Sequence, residues 1–351
     1  MAIRSIRIDT LRGVRGVALE QLPDVVLFGG RNNCGKTTIL EALLLLEGHY
    51  SAQPLFGINQ CRRISAQTLE MMESLFAEGT EDFISLWGEM QSGERRVCRY
   101  RFRVRSNYEL PTAQDLEQGL PLTVNEVVAE FGSLRPGRTE ERREFTAYPS
   151  SSTPTQWVIE QKAWGVPMVP HIFLPVAALE DIDIRVLRKV ITQGEEATLI
   201  EALRQVDARM QALLLDNDRI LVKVEGRKRP LPIQALGSGM LHFVGIFSVV
   251  ACCKGGFVCI DEIGNGLHYS SCQVLWKTLL PYAKKYNVQL FITTHRVDVL
   301  RSFAETQLAL EDAPTAAYIN LIRSPKTGKI NAYRYTPDEL LSALEAGMEV
   351  R

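Results

Sequence analysis

Gly30-Arg31-Asn32-Asn33-Cys34-Gly35-Lys36-Thr37 matches the spacing G-x-x-x-x-G-K-[ST], and its surroundings decide how it is read. The apolar run Val25-Val26-Leu27-Phe28 precedes it and predicts a buried strand. The run Thr38-Ile39-Leu40-Glu41-Ala42-Leu43-Leu44-Leu45-Leu46 follows it and predicts a helix ending near Gly48. Strand, glycine-rich loop and helix start form the context that a phosphate-cradling loop requires. Gly30 and Gly35 let the backbone turn its N–H groups toward phosphate oxygens, and the first helical turn adds unsatisfied donors. The loop positions Asn32, Asn33 and Cys34, with Thr38 at the helix start, complete the expected nucleotide cradle. Lys36 is expected to reach the β- and γ-phosphates of ATP, and Thr37 to place its hydroxyl on Mg²⁺. Cys34 lies where a helix N-terminus can lower a thiol pKa, although a small side chain tolerated by the loop explains it more simply.

Composition sets wide bounds around this motif. The chain has 351 residues, which favours one large α/β domain with an insertion, or two lobes. It is 46% hydrophobic and 23% charged, with a net charge of -1, so it is no polycation. The 7 cysteines show no C-x-x-C pair and no Cys/His ladder, which argues against a zinc site or a disulfide framework. The N-terminus lacks the apolar core of a signal peptide, and no apolar run approaches a membrane span. A cytoplasmic protein with no membrane partner is expected.

Ile3–Ile8 and Val14–Leu19 alternate apolar and polar residues and predict a hairpin. A helix is expected over Ser65–Glu78, and an exposed antiparallel strand over Arg95–Val104. Pro136–Thr155, rich in Pro, Ser, Thr, Arg and Glu, reads as loops. His171–Val176 predicts a short buried strand. Leu199, Ile200, Leu203, Val206, Met210 and Leu214 predict an amphipathic helix over Glu195–Leu214. Ile220–Val224 predicts a strand ended by a turn at Glu225-Gly226-Arg227. From Leu231 onward helix and strand alternate. Trp87, Trp157, Trp164 and Trp276 read as packing residues.

Three further segments belong with the phosphate loop. Phe257-Val258-Cys259-Ile260 is an apolar strand ending in Asp261 and Glu262. An Asp there can hold Mg²⁺, and an adjacent Glu can orient or deprotonate an attacking water. Leu290-Phe291-Ile292-Thr293-Thr294 is a second such strand and ends in His295, which could bond a γ-phosphate. Leu236-Gly237-Ser238-Gly239-Met240 precedes a helix over Leu241–Val250 and makes a second anion-binding helix start. One nucleotide needs only one such nest, so the second is expected to serve the nucleotide of another subunit.

This order of motifs resembles the ABC-type ATPase heads of the SMC/RecF-like branch. Asp261-Glu262-Ile263-Gly264-Asn265-Gly266-Leu267-His268 resembles the DEI-x-NGLH run of the OLD-like ATPases, and Leu236–Gly239 and Phe291–His295 resemble their signature and switch segments. The resemblance covers residues of about 1–50 and 170–351. It implies an α/β P-loop head with a mixed central sheet flanked by helices, an antiparallel β subdomain and no long coiled coil. The expected layout over 1–351 is a lobe with the phosphate loop at 1–50, a variable insert at 51–170, and a lobe at 171–351 carrying the signature, the Asp-Glu strand and His295. It also implies a homodimer, or higher oligomer, with ATP between one subunit's phosphate loop and Gly237, Ser238 and Gly239 of the other. Glu262, Lys36 and His295 are then the catalytic candidates, and Thr37 and Asp261 the metal ligands. The sequence departs from the pattern in reading LGSGM rather than LSGGQ, in Gly264 where many relatives carry Glu, and in Arg296 where Ser is commoner. Gln60 is a weak candidate for the Q-loop glutamine.

OLD-like proteins typically carry a TOPRIM nuclease module, which needs a Glu and an Asp-x-Asp pair for metal-assisted cleavage. Asp181-Ile182-Asp183 lies upstream of the signature and reads better as a solvated helix entry, so no nuclease site is expected within this chain. A separate effector in trans, such as a TOPRIM-type nuclease or a toxin, would complement it. The expected function is an ATP-binding and hydrolysing dimerising switch, the ATPase and sensor subunit of a bacterial anti-phage defence system. The alternative is a RecF-like repair ATPase that binds DNA through Arg95–Arg103 and Arg135–Arg143. A transporter ATPase is poorly supported.

Overall fold

The structure is a computed structural model. It describes residues 3–47, 53–61, 74–76, 83–105, 124–149, 157–159, 169–175, 184–216, 219–348 and 350. The chain divides into two compact units. One comprises Met1–Ala2, Gln21–Leu40 and Val169–Arg351; the other comprises Ile3–Glu20 and Glu41–Met168. The division falls inside helix α1 (Lys36–Glu47).

The unit that holds the phosphate loop is built on a six-stranded sheet. Its order is β16 (Ile330–Tyr335), β15 (Ala316–Arg323), β3 (Val25–Gly29), β14 (Gln289–Thr293), β13 (Phe257–Ile260), β9 (His171–Leu174). All neighbours run parallel except the edge strand β16, which pairs antiparallel with β15. Every residue of β3, β13 and β14 is buried. Parallel strands covered on both faces need such continuous apolar runs. Helix α5 (Ser238–Cys252) is buried from His242 to Cys252, and α6 (Tyr269–Tyr286) and α7 (Val297–Ala309) share its apolar core. Trp276 of α6 is fully buried and its indole N–H donates to the Val299 carbonyl at 3.1 Å. Helix α8 (Pro337–Glu345) starts on a reciprocal capping box between Thr336 and Glu339.

The expected helix over Glu195–Leu214 is half right. Helix α4 (Glu196–Arg204) buries Leu199, Ile200 and Leu203, then stops. The chain turns at Asp207, whose carboxylate accepts from the Arg209 backbone and guanidinium at 2.8–3.0 Å. Met210–Asp216 is strand β10, paired antiparallel with β11 (Arg219–Val224), which pairs with β12 (Leu231–Pro232). Met210 and Leu213 are buried there as strand residues. The helical spacing of Met210 and Leu214 from Leu203 and Val206 is fortuitous: the hairpin partner overrides it, and Leu214 is exposed. Gly226, at φ 79, makes the expected turn after β11.

The second unit is a seven-stranded antiparallel sheet. Its order is β2 (Val14–Leu19), β1 (Ile3–Leu11), β4 (Phe83–Met90), β5 (Arg95–Arg105), β6 (Val124–Leu134), β7 (Glu141–Pro149), β8 (Trp157–Ile159). The β1–β2 hairpin is the expected one. Residues 141–149 form a strand where loops were expected. Arg135–Arg138 makes a tight turn with Gly137 at φ 73, and Phe145 and Ala147 enter the core. The exposed Glu141-Arg142-Arg143-Glu144 stretch hides this strand from a compositional reading. Of the helix expected over 65–78, only a turn at 74–76 is described; the rest, with Trp164 and Asp181–Asp183, lies outside the described residues.

The half of α1 within this unit buries two carboxylates. Glu41 is fully buried and meets Arg12 Nε at 3.0 Å. Glu47, also fully buried, lies 2.6 Å from Arg96 Nη1, and Arg96 Nε meets Glu94 at 3.1 Å. A negative charge at a helix C-terminus opposes the dipole, so Arg96 offsets both the dipole and the burial of Glu47. Arg96 thus occupies the inner face of β5, while Arg95, Arg99 and Arg101 are exposed. Trp87 is 40% exposed and not a core residue: its N–H donates to Asp9 at 2.9 Å, and the Arg99 guanidinium lies 5.5 Å from its ring centre.

Candidate functional site

Three adjacent parallel strands deliver the site. β3, β14 and β13 end side by side, with Thr293 in register with Phe28 and Ile260 with Ile292. The residues after these ends are the phosphate loop, Thr294-His295 and Asp261-Glu262. Ligand sites of open parallel sheets form at such carboxyl ends.

The loop's backbone requires its glycines. Gly30 sits at φ 130, and a Cβ there would lie 2.3 Å from the Leu321 carbonyl oxygen and 2.7 Å from Cys34 Sγ. Gly35 is at φ 95, and Asn33 takes the left-handed conformation at φ 67, which asparagine tolerates better than most residues. The Asn33 carbonyl accepts from Arg323 Nε at 3.0 Å. Lys36 is buried; its Nζ donates to the Gly30 carbonyl at 2.9 Å and lies 3.8 Å from Glu262 Oε1. Burial raises the Cys34 pKa against the lowering influence of Lys36, which removes the reading of Cys34 as an activated thiol.

Asp261 is the node of the cluster. Thr37 Oγ1 lies 3.2 and 3.1 Å from its two carboxylate oxygens. Thr293 Oγ1 donates to Asp261 Oδ1 at 2.6 Å and accepts from the Glu262 backbone N–H at 2.8 Å. His295 Nδ1 donates to Glu262 Oε2 at 2.7 Å, and its side chain is 56% exposed. Glu262 itself takes φ 52, a left-handed conformation that a non-glycine residue adopts at some cost. Thr293 was visible in the sequence only as one of two hydroxyls at a strand end. Its double bond to Asp261 and Glu262 needs the sheet register.

Two of the three departures from the family pattern, Gly264 and Arg296, meet in space. A Cβ on Gly264 would lie 2.5 Å from Val299 Cγ2 and 3.2 Å from Arg296 Cδ. Arg296 donates through Nη1 to the carbonyls of Gly264 and Leu267, the latter at 2.7 Å, and pairs with Asp298. The glycine makes room, and the arginine ties the loop after Glu262 to the start of α7.

Gly237 and Ser238 are exposed at the start of α5. Among the described residues, no atom outside the neighbouring residues and the helix's own backbone lies within 4 Å of a Cβ placed on Gly237 or Gly239, and neither has positive φ. Nothing among the described residues therefore demands glycine at either position. Deeper on α5, buried His242 has its Nε2 2.8 Å from the Ile263 carbonyl, and burial pushes its pKa down to about 4. Gln60 falls on α2 (Gln53–Cys61), and its side chain lies outside the described residues.

Two hard oxygen donors, Thr37 and Asp261, converge as a small divalent cation would need. No group of three or more His, Cys, Asp and Glu side chains gathers among the described residues. Among the described residues no helix is long and apolar enough to cross a membrane.

The fold is that of the ABC-type P-loop ATPase heads. The solved structure of an SMC head bound to the C-winged helix domain of ScpA superposes with a TM-score of 0.50 at 12% identity, covering 98% of this chain and 100% of that one. Residues 26–301 match the family described as "AAA domain, putative AbiEii toxin, Type IV TA system", and the chain belongs to that family. A Helicobacter pylori protein named ATP/GTP phosphatase is 23% identical over 326 residues, 84% of this chain and 85% of that one.

Proposed function

We propose that this chain binds and hydrolyses ATP with Mg²⁺ and that nucleotide occupancy drives its dimerisation. One observation carries the reading. Lys36, Thr37, Asp261, Glu262, Thr293 and His295 converge at three adjacent strand ends, with Thr37 and Asp261 3.1 Å apart. The loop amides and Lys36 hold the phosphates. Thr37 and Asp261 hold Mg²⁺, which offsets phosphate charge. Glu262 orients the attacking water and takes its proton, and His295, aligned by Glu262, faces the γ-phosphate. The name of the Helicobacter pylori relative supports nucleotide hydrolysis.

Dimerisation rests on Gly237–Gly239. Glycines with open space around them let an outside group approach the start of α5, and a helix start suits a phosphate. Ser238 and Gly239 of one subunit complete the site of the other. The biological output is a defence switch of OLD-like type acting on a separate nuclease or toxin; the family's description, which places its AAA domain in a type IV toxin–antitoxin system, supports the defence setting and not the separate effector. The DNA-clamping alternative draws on exposed Arg95 and Arg99, but Arg101 and Arg142 are paired with Glu130 and Glu140 at 2.5 and 3.0 Å. Sedimentation of the purified chain with ATP and Mg²⁺ tests the core reading: a dimer that forms with ATP and is lost on Lys36→Ala is expected. A sedimentation coefficient unchanged by nucleotide would overturn the switch.

A further inference from the structure

His242 is buried on α5, one turn beyond Ser238, and its Nε2 lies 2.8 Å from the Ile263 carbonyl. A carbonyl only accepts, so Nε2 carries the proton. Ile263 directly follows Glu262, whose backbone sits at φ 52. A left-handed glutamate persists only where its surroundings hold it. On one side Thr293 does so: its hydroxyl accepts from the Glu262 N–H at 2.8 Å, and its carbonyl accepts from the Ile263 N–H at 3.1 Å. On the other side the Ile263 carbonyl is fixed by His242. Both peptide groups of the strained residue are thus held from β14, and the next one, between Ile263 and Gly264, is held from α5.

A buried histidine satisfied by a carbonyl is commonly only structural. This one differs in what it joins. The helix it stands on begins with Gly237–Gly239, and the peptide it grips follows the carboxylate beside Lys36 and His295. We propose that His242 is a positioning residue that fixes the Glu262 carboxylate and passes movement of the α5 start to it, so that engagement of a partner's nucleotide sets the chain's own hydrolysis. This rests on the ATP-hydrolysis reading above.

The test compares His242→Gln, which keeps a side-chain N–H donor, with His242→Met, which keeps the approximate volume and loses it. Glu262→Gln serves as reference. His242→Met is expected to lower kcat about tenfold, the scale of one lost hydrogen bond acting in the transition state, with KM for ATP unchanged. His242→Gln is expected to recover most of the rate. A purely structural histidine would instead lower kcat only in proportion to the loss of folded protein. Wild-type kcat in His242→Met alongside a slow Glu262→Gln would overturn the inference and leave the ATPase reading standing. A fast Glu262→Gln would overturn that reading itself. Should His242→Met not fold, the wild-type protein carries the test: the ¹⁵N resonance of His242 Nε2 is expected to shift when a non-hydrolysable ATP analogue with Mg²⁺ is added, and an unmoved resonance in the dimer refutes the coupling.

Discussion

The Thr293 hydroxyl donates to Asp261 at 2.6 Å and accepts from the Glu262 amide at 2.8 Å, so one side chain fixes the proposed metal ligand and the proposed base together. Thr293→Val keeps the branched shape and removes both bonds. A hydrogen bond to a charged group contributes roughly 1.5–3 kcal/mol, which places the loss of kcat/KM at about 10–100-fold. Because Asp261 is released as well, the Mg²⁺ concentration for half-maximal rate is expected to rise. A magnesium titration of ATPase activity in the variant measures both effects, and a normal titration curve would separate Thr293 from the metal.

Glu262 and Lys36 stand 3.8 Å apart but are predicted to fail differently. A positioned general base contributes roughly 10²–10⁴-fold, so Glu262→Gln is expected to slow turnover on that scale while retaining ATP. It accumulates the closed dimer because product formation is blocked. Lys36→Ala loses the phosphate contact and with it nucleotide binding and dimer. Fluorescent-ATP binding and light scattering on the two variants separate these phenotypes.

Gly264 and Arg296 act as one packing unit. A glutamate at 264 meets Val299 and Arg296 at once, so Gly264→Glu is expected to displace the loop after Glu262. Overpacking of this kind costs about 1–3 kcal/mol. Thermal unfolding reads the stability loss, and turnover falls with it because the loop carries the peptide beside Glu262.

The strands that build the site were legible for a physical reason. Val25–Phe28, Phe257–Ile260 and Leu290–Thr293 are buried on both faces, and such strands must be continuous apolar runs. Their order in the sheet was not legible. That β14 stands between β3 and β13, and so inserts Thr293 beside Asp261, is a tertiary fact. Residues 205–216 misled for the converse reason: Val206, Met210 and Leu214 fall at helical spacing, yet the turn at Asp207 and pairing with β11 decide the outcome. The strand at 141–149 was hidden because its first four residues face solvent. Arg96 shares the parity of apolar Cys98 and Tyr100, so alternation puts it on the inner face of β5; what the sequence hid was its partner, Glu47 at the end of α1, which only the tertiary fold brings to it.

That buried pair makes a stability prediction. Removing one member leaves an uncompensated buried charge, so Arg96→Met or Glu47→Leu alone is expected to cost about 3–5 kcal/mol. Removing both in Arg96→Met/Glu47→Leu eliminates two desolvated charges and is expected to restore most of the loss. Glu94 tempers the recovery, because Arg96 also lies 3.1 Å from it and holds its pKa below the ordinary carboxylate value. Urea unfolding of the two single variants and the double variant gives the coupling directly.

His242 makes a prediction about acid. Burial pushes its folded pKa down to about 4, from an ordinary value of about 6.5. Between those values the unfolded chain binds a proton that the folded chain does not, so stability rises with pH there and is complete above it. On acidification the contribution is lost between about pH 6.5 and 4 and amounts to about 3 kcal/mol. His242→Gln has no proton to gain, so the difference in unfolding free energy between variant and wild type is expected to move in the variant's favour across this window. Parallel urea titrations at pH 7.5, 6, 5 and 4 follow it, each pH chosen around the roughly 6.5-to-4 span. A difference constant with pH would mean that His242 takes up its proton at the same pH in the folded and unfolded chain, and that burial does not hold the ring neutral.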